Sequence, residues 1–441
     1  MAYSGGRRPP EFASKSSHSH IIKDQSVIDF LGRCTFQTRG PEEALDDIIT
    51  LVHDAGGYNP IKRVIAADGG ITEVPAQEGF PATTISFLQY GVSYFEMGDF
   101  IELDNLEFIG HEDISKLNNF NIFHFVLPTK NIRLKDCENI KDSFRQVLYE
   151  HFLNVDVDGY NFMDTLVWFM FREYSQDNKR NFISIQCPHC EKNADLFKNA
   201  MDEYSFKCPN PNCGETIYLT DVLKIHNSVT DDSASSIQKP LSLLLEQLLL
   251  VHYIRISLEI NPNILNETLF IRDGPLAFFG DLSNLSVFMH ELFRYLLENN
   301  NLFLGGIEKN GAFVDFAHMI DSYLENGSVM LLNSDYIYKH IYYGSSDKKG
   351  YGYNTYYGCK VIFKSFKGDI YVLTVPTTER SMNNPKVEHY KNLNVILESL
   401  TMLKSDKYDN ALLPIALVNK NVSISDVPGS VILQKLAKTI E

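Results

Sequence analysis

The chain has 441 residues, 44% hydrophobic and 22% charged, a composition that fits a folded globular protein of two or three domains, or one large domain carrying an insertion, and excludes low-complexity and collagen-like chains. A formal net charge of −16 argues against a tight, unaided nucleic-acid binder, which needs a basic face, yet leaves room for a nuclease whose metal ligands are themselves acidic. No apolar run reaches the roughly 18 residues of a bilayer span, and the opening MAYSGGRRPPEFASKSSHSH lacks the apolar core of a signal peptide, so the expectation is a cytoplasmic protein without a membrane segment.

Residues 1 to about 24 read as a flexible arm, with His18 and His20 exposed in it. SVIDFLGRC (26–34) and PEEALDDIITLVHDAG (41–56) place apolar residues at helical spacing, and Pro41 suits a helix start. RVIAADGG (63–70) reads as a strand, and TTISFLQYGVSYFEM (83–97) has the β-branched and aromatic content of a longer strand or strand pair. NIKDSFRQVLYEHFLN (139–154) is helical, with Phe144, Val147, Leu148 and Phe152 on one face; GYNFMDTLVWFMFREYS (159–175) is a second helix and holds Trp168. The pattern breaks from Ile185 to Tyr218, then resumes in the strongly apolar helix LSLLLEQLLLVHYIRISLEI (241–260) and the strand ETLFIRDG (267–274). LSVFMHELFRYLLENN (285–300) is an amphipathic helix, LFLGGIEKNG (302–311) a short strand, and residues 351–376 alternate as two antiparallel strands joined at Lys367-Gly368; SVILQKLAKTIE (430–441) reads as a closing helix. Strands in two groups separated by helices imply a mixed α/β domain. The expected divisions are an arm and helix over 1–40, a first domain part over 41–185, a cysteine module over 186–218, and a second part over 219–441.

Seven cysteines are present. Cys34, Cys137 and Cys359 are scattered and read as small buried side chains. The other four form two paired-thiol turns, CPHC (Cys187, Cys190) and CPNPNC (Cys208, Cys213), separated by seventeen residues. Each short turn aims two sulfurs at one point, so the two complete a tetrahedral four-thiolate site for a structural Zn²⁺. A redox role for the first pair alone is the rival reading, and the second pair argues against it.

Two apolar runs, VIAADGG and LFIRDGPL, end in Asp-Gly. A hairpin turn is the plain explanation of such a pair, and a loop cap the plain role of each aspartate. The alternative is that Asp68 and Asp273 sit at the ends of neighbouring central strands and share a hard divalent cation, since close carboxylates repel unless a cation lies between them.

VIAADGG, LFIRDGPL and GGIEKNG, in this order and with a buried helix before the second, resemble the motifs of the NurA nuclease family over roughly residues 60 to 430, with the cysteine module as an insertion. The resemblance implies a ribonuclease H-like fold similar to the Piwi nuclease domain: a mixed sheet flanked by helices and interrupted here by a zinc ribbon. It also implies a homodimer that cuts DNA with Mn²⁺ or Mg²⁺ and works with a hexameric HerA-type ATPase. By that resemblance Asp68 and Asp273 are metal ligands and Lys309 stabilises the scissile phosphate. The family's helix glutamate falls on Glu150, with Glu96 the second choice. The family's late histidine has no counterpart: LLPIALVNKNVSIS (412–425) offers Asn419 and Lys420. Against these stand plainer roles, a solvated surface lysine for Lys309 and an exposed helix residue for Glu150. The eight tyrosines of residues 335–358, interleaved with Lys339, Lys348 and Lys349, suit stacking on single-stranded DNA less well than sheet or dimer packing. Such nucleases serve end resection or destruction of invading DNA, and the zinc module tilts the reading toward defence. Two other classes fit the same residues: an inactive scaffold of this fold, and a zinc-ribbon adaptor that binds a partner ATPase.

Overall fold

The computed structural model describes residues 24–34, 48–53, 56–77, 80–104, 119–230, 232–342, 350–380, 383, 385–404 and 412–423. The expected arm with His18 and His20, the closing helix at 430–441, and Lys348 and Lys349 lie outside them. The chain divides into two compact units, Met1–Asp46 and Asp47–Glu441. In the first, a helix spans Gln25–Leu31 and is N-capped by Asp24, whose carboxylate accepts from the Ser26 amide at 2.8 Å. None of that helix's residues is buried, and Cys34 beyond it is exposed rather than buried as expected, because no described residue of this unit is buried against it. Cys137 and Cys359 are buried as expected.

The second unit is built on a nine-stranded sheet whose strands, in chain order, are β1 (Ile49–Val52), β2 (Arg63–Gln77), β3 (Thr83–Glu96), β4 (Asn119–Lys130), β5 (Thr268–Asp273), β6 (Phe303–Glu308), β7 (Ser328–Leu331), β8 (Cys359–Lys364) and β9 (Ile370–Val375). Their spatial order is β1-β7-β8-β9-β6-β5-β2-β3-β4. Strands β2, β3 and β4 form an antiparallel meander, and β5 and β6 lie parallel to β2 on its other side. Three antiparallel strands continued by two parallel ones make the centre of a mixed sheet, as expected from the sequence. β5 is buried without a break from Thr268 to Arg272 because it is covered on both faces, as parallel strands generally are. β1 is a correction: the expected helix over 41–56 contains a strand, since Ile49–Val52 completes the sheet edge by pairing antiparallel with β7.

Helices cover both faces. The labelled ones are α1 (Met97–Asp104), α2 (Ile140–Asn154), α3 (Phe162–Met170), α4 (Gln238–Ile260), α5 (Leu285–Asn299), α6 (Ala312–Ile320), α7 (Leu393–Leu403) and α8 (Leu413–Val422). α4 is apolar all round and lies under β2 and β3; side chains from α2, α3 and α5 join the same core. With the turn before it, Ser235–Ile260 is long and apolar enough to cross a bilayer, but 78% of its most apolar stretch is buried inside the fold. α8 packs on the opposite face of β2 and β3: Ser93 Oγ donates to the Pro414 carbonyl at 3.4 Å and Gln89 Nε2 to the Asn421 carbonyl at 2.7 Å.

The cysteine module opens at Phe182, with hairpins Phe182–Gln186/Asn193–Phe197 and Ser205–Lys207/Thr216–Tyr218. Ile183, Ile185, Leu196, Phe206 and Ile217 belong to the same apolar core as Phe144, Leu148 and Trp168. Arg145 of α2 fastens the join. Its buried guanidinium donates to both carboxylate oxygens of Asp221 (2.9 and 2.7 Å), to the Thr216 carbonyl (2.9 Å), and lies 2.8 Å from His189 Nε2 in the first knuckle. A guanidinium so placed satisfies its fork of donors with acceptors across the joint.

Candidate functional site

Parallel register aligns β5 with β2 so that Arg272 lies opposite Ala67, which sets Asp273 beside Asp68. The two side chains share a sheet face, the one covered by α8, because pleating alternates successive side chains between faces. Asp273 ends β5. Asp68 does not end its strand: β2 runs on to Gln77, so the expected strand end is instead the level at which β2 passes the terminus of its neighbour. Beyond Asp273 the chain leaves the sheet through Gly274 at φ +108°, a conformation that favours glycine. That turn folds tightly over β6, where a Cβ on Gly306 would lie 2.5 Å from the Gly274 carbonyl oxygen.

Asp68 is 8% exposed, and its Oδ1 accepts from the Gly69 amide at 2.8 Å. Burial first, and the neighbouring Asp273 carboxylate second, push its pKa up to about 6, against the opposing pull of the Gly69 amide, Lys309 and Arg272. On the other face of β2 lies a carboxylate that the sequence reading missed. Glu246, inside α4, accepts from Ser242 Oγ at 2.9 Å and sits 3.4 Å from Nη2 of Arg272. Burial pushes it up to about 7, with Asp68 and Asp273 adding to the rise and Arg272 opposing it. Arg272 is 1% exposed and also donates to the Pro275 carbonyl, so one buried cation ties Glu246 to the turn after Asp273. The available signal was an acid inside a run of leucines, which must be buried and therefore needs a reason.

The two glutamates singled out from the sequence lie elsewhere. Glu150 is exposed on α2, accepting from Gln146 Nε2 at 2.8 Å, one residue from Tyr149, which stacks on Tyr218 of the cysteine module at 4.5 Å. Glu96 ends β3 opposite Arg63, at the far end of the stretch that leads to Asp68, paired with Arg63 at 3.0 Å and Tyr94 at 2.7 Å.

Lys309 is at the site: its Nζ is 2.6 Å from Asp273 Oδ2. The preceding Glu308 turns to the opposite face and pairs with the fully buried Lys360, whose pKa burial lowers despite that partner. Phe313 and Tyr356 present their rings to the same ammonium at 4.3 and 4.7 Å. Around this pair the described tyrosines pack on one another, Tyr342 against Tyr351 at 5.7 Å, while Tyr336, Tyr356 and Tyr357 are buried. Those three lie inside the fold, whereas Tyr342 is exposed. Asn419 and Lys420 are exposed on α8, and the α8 groups that bond to β3 near Asp68 are backbone carbonyls.

The four cysteine sulfurs lie within 4.8 Å of one another, with Cys187–Cys213 at 3.9 Å and Cys190–Cys208 at 3.7 Å. Four thiolates around Zn²⁺ with bonds of about 2.3 Å stand about 3.8 Å apart, so the set fits a zinc ion. Knuckle amides complete the turns: Cys208 donates to Glu215, and Cys213 to Asn210, each at 2.9 Å, with Gly214 left-handed at φ +64°. The Asn210 side chain holds the Cys190 thiol below the usual range, and burial holds Cys208 above it. Among the described residues this is the only group of three or more such ligands at so close a spacing. Asp68, Asp273 and Glu246 do not close to it, with Asp273 drawn to Lys309.

Three solved structures resemble this chain in fold, each over 97% of it and 98% of the other chain: the NurA nuclease from Sulfolobus solfataricus (9% identity, TM-score 0.35), a second NurA structure (13%, 0.28) and NurA with manganese (13%, 0.25). No protein-family model matches the chain, and neither does any curated protein.

Proposed function

We propose that the protein is a divalent-metal-dependent DNA nuclease of the NurA type. The observation that carries this is the register of β2 and β5, which brings Asp68 and Asp273 side by side, with the buried Glu246 of raised pKa on the opposite face of β2. Hard carboxylate oxygens crowded at one sheet edge suit Mn²⁺ or Mg²⁺, and Asp68 and Asp273 would hold the ion. Such an ion, when bound, polarises a phosphodiester and lowers the pKa of a water. The chain's own groups supply the rest. Lys309 Nζ neutralises charge on a phosphate oxygen, and Glu246, raised to about 7, can take or return a proton near neutral pH. Zn²⁺ on Cys187, Cys190, Cys208 and Cys213 is structural.

A net charge of −16 leaves the chain in need of another source of positive field to hold DNA. The proposal therefore includes a homodimer docked on a HerA-like hexameric ATPase in the cytoplasm, acting in DNA end processing or, with the ribbon as the inclining feature, in defence against phage. Two observations favour a second reading, a scaffold with weak or lost catalysis: Asp273 is taken up by Lys309, and Asn419 and Lys420 stand exposed in the stretch where the family carries a histidine. Cleavage of linear DNA with Mn²⁺ by the purified chain, lost in Asp273→Asn, supports the nuclease; no cleavage with or without the ATPase leaves the scaffold.

A further inference from the structure

A cavity of ≈ 440 Å³ opens beside Lys309 and shares that lysine with the carboxylate pair. Its size falls in the range of about 300–1,000 Å³ typical of small-ligand sites. Ile307 of β6 and Tyr371 of β9 form its floor on the sheet face that also carries Asp273, and Val314, Leu412 and Ile415 form apolar walls. The Tyr371 hydroxyl is buried without a hydrogen-bond partner, and its ring is backed by Phe363 at 6.1 Å and 19°, which keeps it flat. The acids of the cavity are each held by a lysine: Glu308 by Lys360, Asp321 by Lys364 at 3.0 Å, and Asp369 by Lys404 at 3.7 Å. With those charges balanced, the rim groups that could meet an anion are the exposed His318 and Lys309, the latter once a cation on Asp273 takes over the carboxylate that now holds it at 2.6 Å.

A pocket with a ring at its floor, apolar walls and polar groups around them, Lys309 and His318 among these, suits a nucleotide: a flat base inside and a phosphate outside. The geometry points to a subsite for one unstacked nucleotide adjoining the scissile phosphate, with its base against Tyr371 and its phosphate near Lys309 and His318. The identity of that phosphate rests on the nuclease reading; the pocket does not. A paired base cannot enter it, so the substrate class is a single strand or an end that frays.

The test uses the full chain with its zinc in place and no added Mn²⁺ or Mg²⁺, and the fluorescence of 2-aminopurine deoxyribonucleoside monophosphate. Saturable quenching is expected, weakened roughly tenfold in Tyr371→Leu, which removes the ring, and at least as much in Val314→Trp, which fills the cavity from a half-buried position and serves if the first variant unfolds. On a single-stranded oligonucleotide both variants should raise KM more than they lower kcat. Quenching absent from the wild type, or unchanged in folded variants, overturns the subsite. So does inorganic phosphate that competes as well as the nucleotide, since the site would then read only the phosphate. If the wild type binds the nucleotide at Tyr371 but never cuts DNA, the subsite stands and the nuclease reading falls. If the variants bind and cut as the wild type does, the outcome is the reverse.

Discussion

The carboxylate of Glu246 occupies the space where a side chain on residue 69 would begin: a Cβ built on Gly69 would lie 2.8 Å from Glu246 Oε1 and 2.8 Å from Ser242 Oγ. The glycine after Asp68 therefore makes no turn. It lies within an extended strand, and its missing side chain admits an acid from α4 on one face while Asp68 is presented on the other. Gly69→Ala should push Glu246 aside, costing about 1–3 kcal/mol by overpacking and lowering cleavage together with stability. Unchanged melting and unchanged cleavage in that variant would show the contact to be unimportant.

Asp68→Asn, Asp273→Asn and Glu246→Gln should each abolish Mn²⁺-dependent cleavage. Without metal, Asp68→Asn and Glu246→Gln should melt at or above the wild-type temperature, because each removes a buried carboxylate whose ionised form is disfavoured. Glu150→Gln, at an exposed position away from these groups, should cut normally. Parallel nuclease assays and thermal melts separate the alternatives: a loss in Glu150→Gln with full activity in Glu246→Gln would reverse the assignment.

The same two groups set a pH dependence. Their folded pKa values, about 6 for Asp68 and about 7 for Glu246, lie above the ordinary 3.8 and 4.5. Groups raised in this way contribute stability that is fully present below the ordinary values and lost as pH rises through the folded ones. Without added Mn²⁺ or Mg²⁺, the melting advantage of an Asp68→Asn/Glu246→Gln double variant over the wild type should therefore be small at pH 5 and grow to pH 8, on the order of 1–3 kcal/mol. Added Mn²⁺ should shrink it by stabilising only the wild type. A pH-independent difference would mean that neither carboxyl is perturbed in the fold.

Asp68, Asp273 and Lys309 were legible in the sequence because each lies in an Asp-Gly or Gly-rich motif closing an apolar run. Their meeting depends on a strand pairing across about 200 residues that no local pattern encodes. Glu246 was passed over for Glu150 because both sit on helices of good helical composition, and only the all-round apolarity of α4 separates a buried acid from a solvated one. The strand Ile49–Val52 is similarly non-local. Its residues have helical spacing in sequence, yet the open edge of β7 fixes them as a strand, and tertiary pairing overrides so short a preference. The four cysteines were legible for the opposite reason, since each knuckle is set by its own turn.

Zinc should be present at one ion per chain. Because the ribbon's apolar residues merge with those of α2 and α3 and Arg145 bridges them, its loss should not stay local. Cys208→Ser should lower the melting temperature of the whole second unit and release zinc in the same transition, rather than loosen a detachable module. Elemental analysis with well below one zinc per chain and no iron in its place, or an unaltered melt after chelation, would contradict this account.

The final expectation concerns grip. Affinity for DNA comes largely from cations that displace the counterions of phosphates, and this chain has 40 lysines and arginines against 56 acids. Many of those at the site are already engaged: Lys309 by Asp273, Lys360 by Glu308, Lys364 by Asp321 and Lys404 by Asp369. The isolated chain should therefore bind DNA weakly at physiological salt, with a shallow dependence of affinity on salt because few phosphates are contacted. A hexameric ATPase that surrounds the strand would supply the missing positive field and deliver an end to the Asp68–Asp273 edge. Binding and cleavage should then rise together when such a partner is added, and the salt dependence should steepen as its basic groups join the contact. Submicromolar affinity of the isolated chain for linear DNA at physiological salt would refute the need for a partner and would require a basic surface beyond these paired lysines.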